Sequence, residues 1–239
     1  MKKLYPILLL TLCSFTTSRN DSSIGVLQSM FKRYHGVWHK TLKFTQTTER
    51  YRNDSLIKTD TWYEQIMYPD LLRIDIGTEK SANGIIFRHD STYSFRNNKI
   101  ARASKGENEL IFFLGGLYSK SFEQVLLHFK DLNYDLTKFH ASTWKDKPVY
   151  VLGADKDGDK VNQLWIDQEK LVAVRFIKYD GGTKEEGFFE AQVPLKKAWS
   201  ETKCSFYIND KLLQVESYRD LVPNAPMDKN VFEPGLIGR

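Results

Sequence analysis

The stretch WHKTLKFTQTTERYR (38–52), NDSLIKTDTWYEQIMY (53–68) and PDLLRIDI (69–76) decides how the chain is read. Two long runs place apolar and polar residues alternately, with Asn53-Asp54 as the polar break between them, and LLRIDI follows directly after Pro69-Asp70. Alternation at every other residue lines one face of a pleated strand. Each run is about twice the usual strand length, so one antiparallel hairpin can span a whole domain. Trp38, Leu42 and Phe44 share one face, Trp62, Ile66 and Tyr68 another, and Leu72, Ile74 and Ile76 a third. Long neighbouring strands of this kind build large twisted sheets, which curl around a core or a ligand.

Working outward, GIIFRHD, STYSFRN and KIARAS extend the pattern as a meander of short strands. Polar turns separate them at Ser81–Asn83, Asp90-Ser91 and Asn97-Asn98. Between 107 and 130 the period changes. ENELIFFLGGLY and SFEQVLLHF have helical lengths, with Gly115-Gly116 breaking the first and Ser121 capping the second. After His140 the period returns to two, with strands expected at 147–154, 160–167, 170–179, 184–193, 198–208 and 211–221. Upstream, Ser22 or Ser23 caps a helix running to about His35, with Ile24, Leu27, Met30, Phe31 and Tyr34 on its apolar face and Gly36 at its end. The tail VPNAPMDKNVFEP reads as a coil that offers Val231 and Phe232 as an apolar plug. No linker or repeat divides the chain. The expected fold is α+β and mostly antiparallel: one domain over 19–239, an unclosed curled β-barrel of about eleven strands with an N-terminal helix and a central helical lid. LIFFL is apolar on every side, so the lid needs a floor, and the concave face of the sheet is the one at hand.

MKKLYPILLLTLCSFTTS has the three parts of a secretory leader: Lys2 and Lys3, an apolar run from Ile7 to Phe15, and small residues ahead of a cut after Ser18. The apolar run is too short to span a bilayer. The chain is therefore expected in the periplasm, with residues 1–18 removed. Lipid anchoring through Cys13 is the alternative, although Leu12 is large for the position before a lipidated cysteine. Removal of Cys13 leaves Cys204 as a lone thiol in the alternating context KCSFYI, which reads as a buried strand residue. The net charge of +5 falls to +3 without Lys2 and Lys3. Basic and acidic residues are interspersed, which argues for a solvated surface and against a nucleic-acid stripe.

The patterns that could carry chemistry are each incomplete. His35 and His39 have the i, i+4 spacing of a metal pair, but Gly36 breaks the helix that the geometry needs. Asp155, Asp157 and Asp159 resemble the start of a calcium loop, but Gly158 falls at the fourth place and Ile166 at the twelfth, so a hairpin turn is expected. Ser142-x-x-Lys145 lacks the companion motifs of acylating serines. No catalytic residue, metal or cofactor is assigned.

The order of segments resembles the periplasmic lipoprotein-carrier superfamily, the LolA- and LolB-like carriers and their outer-membrane lipoprotein-sorting relatives. Phe44-Thr45-Gln46 is similar to the family's F-x-Q start. Tyr68-Pro69-Asp70-Leu71-Leu72-Arg73 is similar to its R-P-x-x-hydrophobic-R segment, with Tyr68 standing in place of the first arginine. Leu164-Trp165-Ile166-Asp167 with Val174-Arg175-Phe176 is similar to its late hairpin. Tyr218-Arg219-Asp220-Leu221, Asn224 and Phe232-Glu233-Pro234 are similar to its closing strand and tail. The resemblance spans roughly 24–234 and implies an unclosed barrel with helices in its mouth that holds acyl chains. It implies a monomeric, non-enzymatic carrier of a lipid or lipoprotein acyl chain. The alternative is an envelope-assembly module with a fully filled barrel that binds a protein partner. In the carrier reading, Trp62, Ile66, Tyr68, Phe112, Phe113 and Leu117 line the lipid site, and Arg73 holds the lid closed through a hydrogen bond to a lid carbonyl or a carboxylate at the rim.

Overall fold

The computed structural model describes residues 20–238, so the expected leader and Cys13 lie outside the described residues. Helix α1 (Ser23–Tyr34) begins where the Ser22 hydroxyl accepts from the Gly25 amide. Its buried face is Val26, Leu27, Met30 and Tyr34, while Ile24 points to solvent. The apolar stripe is thus rotated from the expected one by the choice of Val26 over Ile24.

A meander follows: β1 (Thr41–Arg52), β2 (Ser55–Met67), β3 (Leu71–Ile76), β4 (Gly84–Arg88), β5 (Ser91–Arg96) and β6 (Lys99–Lys105). A helical connection comes next, with α2 (Glu109–Phe113), a 3-10 turn (Gly116–Ser119) and α3 (Phe122–Asp131). The chain then returns through β7 (Phe139–Trp144), β8 (Lys147–Leu152), β9 (Gln163–Asp167), β10 (Ala173–Asp180) and β11 (Thr183–Glu190). A small separate hairpin, β12 (Val193–Leu195) and β13 (Ala198–Ser200), leads to β14 (Lys203–Ile208) and β15 (Lys211–Pro223). Thirteen strands form one antiparallel sheet in the order β6-β5-β4-β3-β2-β1-β15-β14-β11-β10-β9-β8-β7. The two edges, β6 and β7, do not pair, so the barrel is unclosed, as expected. The strand count exceeds the expected one because 193–200 forms its own hairpin and 139–144 adds a short, half-exposed edge strand.

Tight turns set the register. Asn53-Asp54, Asn97-Asn98, Lys145-Asp146 and Asn209-Asp210 all have positive φ at both residues. That is the backbone of the two-residue turn whose twist matches a hairpin. The β1–β2 ladder runs from Thr41↔Met67 to Arg52↔Ser55, and β1 also pairs with β15 from Leu42↔Pro223 to Arg50↔Gln214. First and last strands therefore lie side by side at the middle of the sheet.

The helical connection crosses from one sheet edge toward the other within the concavity. α3 is held by a capping box between Ser121 and Gln124. α2 is little more than one turn, because Gly115 adopts φ +151 directly after it. Helix α1, Phe112, Phe113, Leu117, Val125 and Phe129 pack onto Leu152, Leu164, Ile166, Phe176 and Phe189 of the returning strands. A second cluster, Leu42, Phe44, Trp62, Ile66, Leu72 and Ile74 with Ile111, covers the concave face of β1–β3. The C-terminal segment folds over the convex face of β3 and β4, where Phe232 is fully buried. Among the described residues no helix is long and apolar enough to cross a membrane.

Candidate functional site

The two clusters on the concave side do not meet everywhere. A cavity of about 560 Å³ remains between the concave face of β1–β4, helix α2 and the inner faces of β10, β14 and β15. Strand alternation builds its walls. On β1 and β2, Leu42, Phe44, Trp62 and Ile66 face inward, and Leu72, Ile74, Ile85 and Phe87 continue the surface on β3 and β4. Phe176 and Phe206 form the opposite wall, and Leu110, Ile111, Phe113 and Leu114 descend from α2 as the roof.

Four of the six residues expected to line a lipid site do line the cavity: Trp62, Ile66, Tyr68 and Phe113. Phe112 and Leu117 do not. Both are buried in the neighbouring core, where the Phe112 ring lies 5.3 Å from that of Phe129. The reason is the brevity of α2: one turn presents Leu110, Ile111, Phe113 and Leu114 to the cavity and sends Phe112 to the other side.

Arg73 makes the carboxylate contact among the two expected for it, but not the one to the lid. It lies on the convex face, where it donates to Asp75 Oδ1 (Nε at 3.0 Å, Nη2 at 2.9 Å) and to the Val231 carbonyl (3.0 Å). Its guanidinium stands over the Phe95 ring at 5.3 Å. The expected contact with a lid-helix carbonyl is therefore not made. Strand alternation places Arg73 on the side opposite to Leu72 and Ile74, and the lid lies on their side. The lid contact comes instead from Tyr68, whose hydroxyl donates to the Leu114 carbonyl at 3.3 Å. Lys178 of β10 adds an ion pair to Glu109 at the start of α2. Close approach of the lid depends on Gly116: a Cβ there would stand 2.5 Å from the Pro69 carbonyl oxygen and 2.9 Å from that of Ile111.

The cavity also carries polar groups that were not singled out from the sequence. Glu64, Glu201 and Glu216 line it, each more than nine-tenths buried. Glu64 sits between Trp62 and Ile66 on the inward face of β2, and Glu216 lies on β15, on the other side of β1. Glu216 accepts from the Tyr218 hydroxyl and from Gln214 Nε2, both at 2.6 Å. Burial pushes all three carboxyls up, Glu201 to about 8, and the neighbouring carboxylates push the same way on Glu64 and Glu201. The available signal was an acidic residue at an inward position of an alternating strand, W-Y-E-Q-I on β2 and Q-V-E-S-Y on β15.

The incomplete sequence motifs resolve into ordinary contacts. His35 Nδ1 lies 3.0 Å from the Tyr118 carbonyl, whereas His39 is buried apart from it, stacked on Trp38. Burial and Lys196 hold His39 down to about 4, so it is neutral near pH 7. Asp157 accepts from Ser142 and meets His140 Nε2 at 2.9 Å, while Asp159 accepts from the amides of Asp155 and Lys156. Lys145 pairs with Glu190, away from Ser142. Cys204 is buried on β14, with the Tyr218 hydroxyl 3.3 Å from its sulfur. Among the described residues no three His, Cys, Asp or Glu side chains are grouped to hold a metal ion.

No family model matches the chain, and no curated protein matches it either. Solved structures do. A DUF1329 family protein from Desulfovibrio piger superposes with a TM-score of 0.62 at 11% identity, over 90% of this chain and 97% of that one. A domain described as an outer membrane lipoprotein-sorting protein, from Vibrio parahaemolyticus, gives 0.59 at 10% identity, over 90% and 98%. A LolA superfamily protein from Nitrosomonas europaea gives 0.54 at 9% identity, over 89% and 98%. The chain thus shares the overall fold of these three structures, one of them a LolA superfamily protein.

Proposed function

We propose that the chain is an envelope carrier, exported by residues 1–18, that shields an acyl chain from water in the cavity under α2. The observation that carries the reading is the cavity: about 560 Å³, walled by Leu42, Phe44, Trp62, Ile66 and Ile74 and roofed by Phe113 and Leu114. Its volume lies within the usual range of about 300–1,000 Å³ for ligand sites. Each methylene removed from water contributes about 0.8 kcal/mol, so a chain of a dozen or so methylenes gains on the order of 10 kcal/mol. The likeness to a lipoprotein-sorting domain and a LolA superfamily protein supports the same reading at the level of fold. The cavity also favours a carrier over an assembly module whose barrel is completely filled. No step of covalent chemistry is assigned to it.

A carboxylate introduced into the apolar wall would be buried without a partner, at a cost of several kcal/mol or with its proton retained. Trp62→Glu and Phe113→Glu should therefore abolish binding of a fluorescent acyl probe with an uncharged head. Lys58→Glu, at a side chain 54% exposed on the hairpin, should leave it unchanged. A wild-type protein that neither binds the probe nor carries lipid when purified would overturn the carrier reading.

A further inference from the structure

A second hollow, of about 310 Å³, opens where the segment between α1 and β1, the end of β15 and the β12–β13 turn meet. It shares no lining residue with the acyl cavity. Val37 and Leu195 supply its apolar part, and His39, Lys196, Lys197 and Asn224 its polar part; no Asp or Glu lines it. Leu195 pairs with Ala198, so Lys196 and Lys197 are the two residues of the hairpin turn, and both are exposed. Asn224 Oδ1 accepts from the Lys40 amide at 2.8 Å, which leaves the Nδ2 end of that side chain as a donor. His39 adds an independent observation. It is 3% exposed, yet neither Nδ1 nor Nε2 has a hydrogen-bond partner among the described residues. Its ring stacks on Trp38 at 5.2 Å and meets the Tyr68 ring at 5.4 Å, and neither contact satisfies a nitrogen. A buried polar group left unpaired costs stability, so an imidazole of this kind beside a hollow points to a partner that occupies the hollow.

We propose that this hollow binds a phosphate group, which accepts hydrogen bonds from His39, Lys196, Lys197 and Asn224 Nδ2. The two lysines set the sign of the ligand. A cation is repelled by them and finds one imidazole and no carboxylate to hold it. A neutral imidazole carries one N–H donor, so all four polar side chains of the lining can donate to an acceptor placed among them. They come from three separate parts of the chain, an arrangement that suits an oxyanion with several oxygens better than a single carbonyl. Lysine ammonium groups meet phosphate through charge-assisted hydrogen bonds, which are stronger than neutral ones. The chemistry is the same whether the phosphate belongs to a lipid head group or to a small soluble molecule. This site stands apart from the carrier reading and does not depend on it.

The test is an NMR titration of the purified protein with inorganic phosphate near neutral pH, with chloride at matched ionic strength as the reference. The signals followed are the His39 ring and the backbone amides of residues 36–40, 195–198 and 224. Phosphate should shift these signals saturably, with an affinity at least tenfold above that of chloride. The double variant Lys196→Gln, Lys197→Gln changes only an exposed turn. It should weaken phosphate at least tenfold and leave binding of the uncharged acyl probe within about twofold, with unchanged circular dichroism certifying the fold. His39→Phe keeps a ring in place, removes both nitrogens and should weaken phosphate severalfold. Glycerol 3-phosphate and dihexanoyl phosphatidic acid, the latter below its micelle concentration, identify the source at the same signals. A phosphatidic acid bound at least tenfold tighter supports the site as one for a lipid head group, and equal affinities support it as one for a small soluble phosphate. The absence of a saturable shift, equal effects of phosphate and chloride, or a phosphate affinity that survives the double lysine variant overturns the proposal. None of those results touches the carrier reading, which the acyl probe tests separately.

Discussion

Replacing Glu201 by glutamine should flatten the dependence of stability on pH. Glu201 is 8% exposed, and burial followed by repulsion from Glu216 moves its ionisation from 4.5 to about 8 in the folded protein. The folded state then keeps a proton that the unfolded state releases. The group costs nothing below about pH 4, and stability falls as pH rises through the interval up to about 8. The limiting slope is about 1.4 kcal/mol per pH unit for one carboxyl. Over the whole interval the loss approaches 5 kcal/mol, on the order of a third to the whole of a typical domain's stability. Glutamine carries no titrating proton. Urea unfolding of wild type and Glu201→Gln at about pH 5 and about pH 8 reads the difference directly. Near pH 5 the two should agree within roughly 1 kcal/mol, and near pH 8 the variant should be the more stable by several kcal/mol. Parallel curves for the two proteins would refute the argument, because they would mean that Glu201 ionises in the folded state as readily as in the unfolded one.

Two further outcomes follow from contacts around the lid. Tyr68→Phe removes the donor to the Leu114 carbonyl and should speed hydrogen exchange in residues 107–120 at a stability cost of about 1 kcal/mol, whereas Arg73→Leu should leave that segment unchanged and loosen residues 228–236; exchange measured by mass spectrometry separates the two. Gly116→Ala forces a Cβ against two carbonyl oxygens and should destabilise the protein by about 1–3 kcal/mol in urea unfolding and weaken probe binding, with an unaltered midpoint counting against the close-approach argument.

Much of the sheet was legible because its signals are local. Asn53-Asp54, Asn97-Asn98 and Asn209-Asp210 accept positive φ cheaply and mark their hairpins in the sequence. Lys145-Asp146 makes the same turn with a residue that carries no such mark, and the edge strand β7 before it has His140, Ala141, Ser142 and Thr143 in place of a clear apolar alternation. Which inward residues border space and which border other side chains was not legible. Phe112 and Phe113 are neighbours of identical chemistry and both pack in the core beside α3, yet Phe113 also borders the cavity and Phe112 does not. The three acidic residues were visible as exceptions in alternating strands. Their convergence was not, since it depends on β15 lying beside β1 across some 170 residues of chain.

That pairing also constrains how the molecule can come into being. Strand β1 is flanked by β2, its neighbour in sequence, and by β15, whose Pro223 stands opposite Leu42. The Lys40 amide donates to the Asn224 side chain, and the Asn224 amide donates to the Thr41 carbonyl. The first half of the sheet can zip outward from the long hairpin through local turns, and the second half can zip inward from β7. The seam joining them waits until residue 224 is available, and loop closure over that distance is slow. Until then β1 presents an open, aromatic-bearing edge, the kind that invites pairing with other chains. A chain built this way completes its cavity last, once its final strand is available to pair with its first.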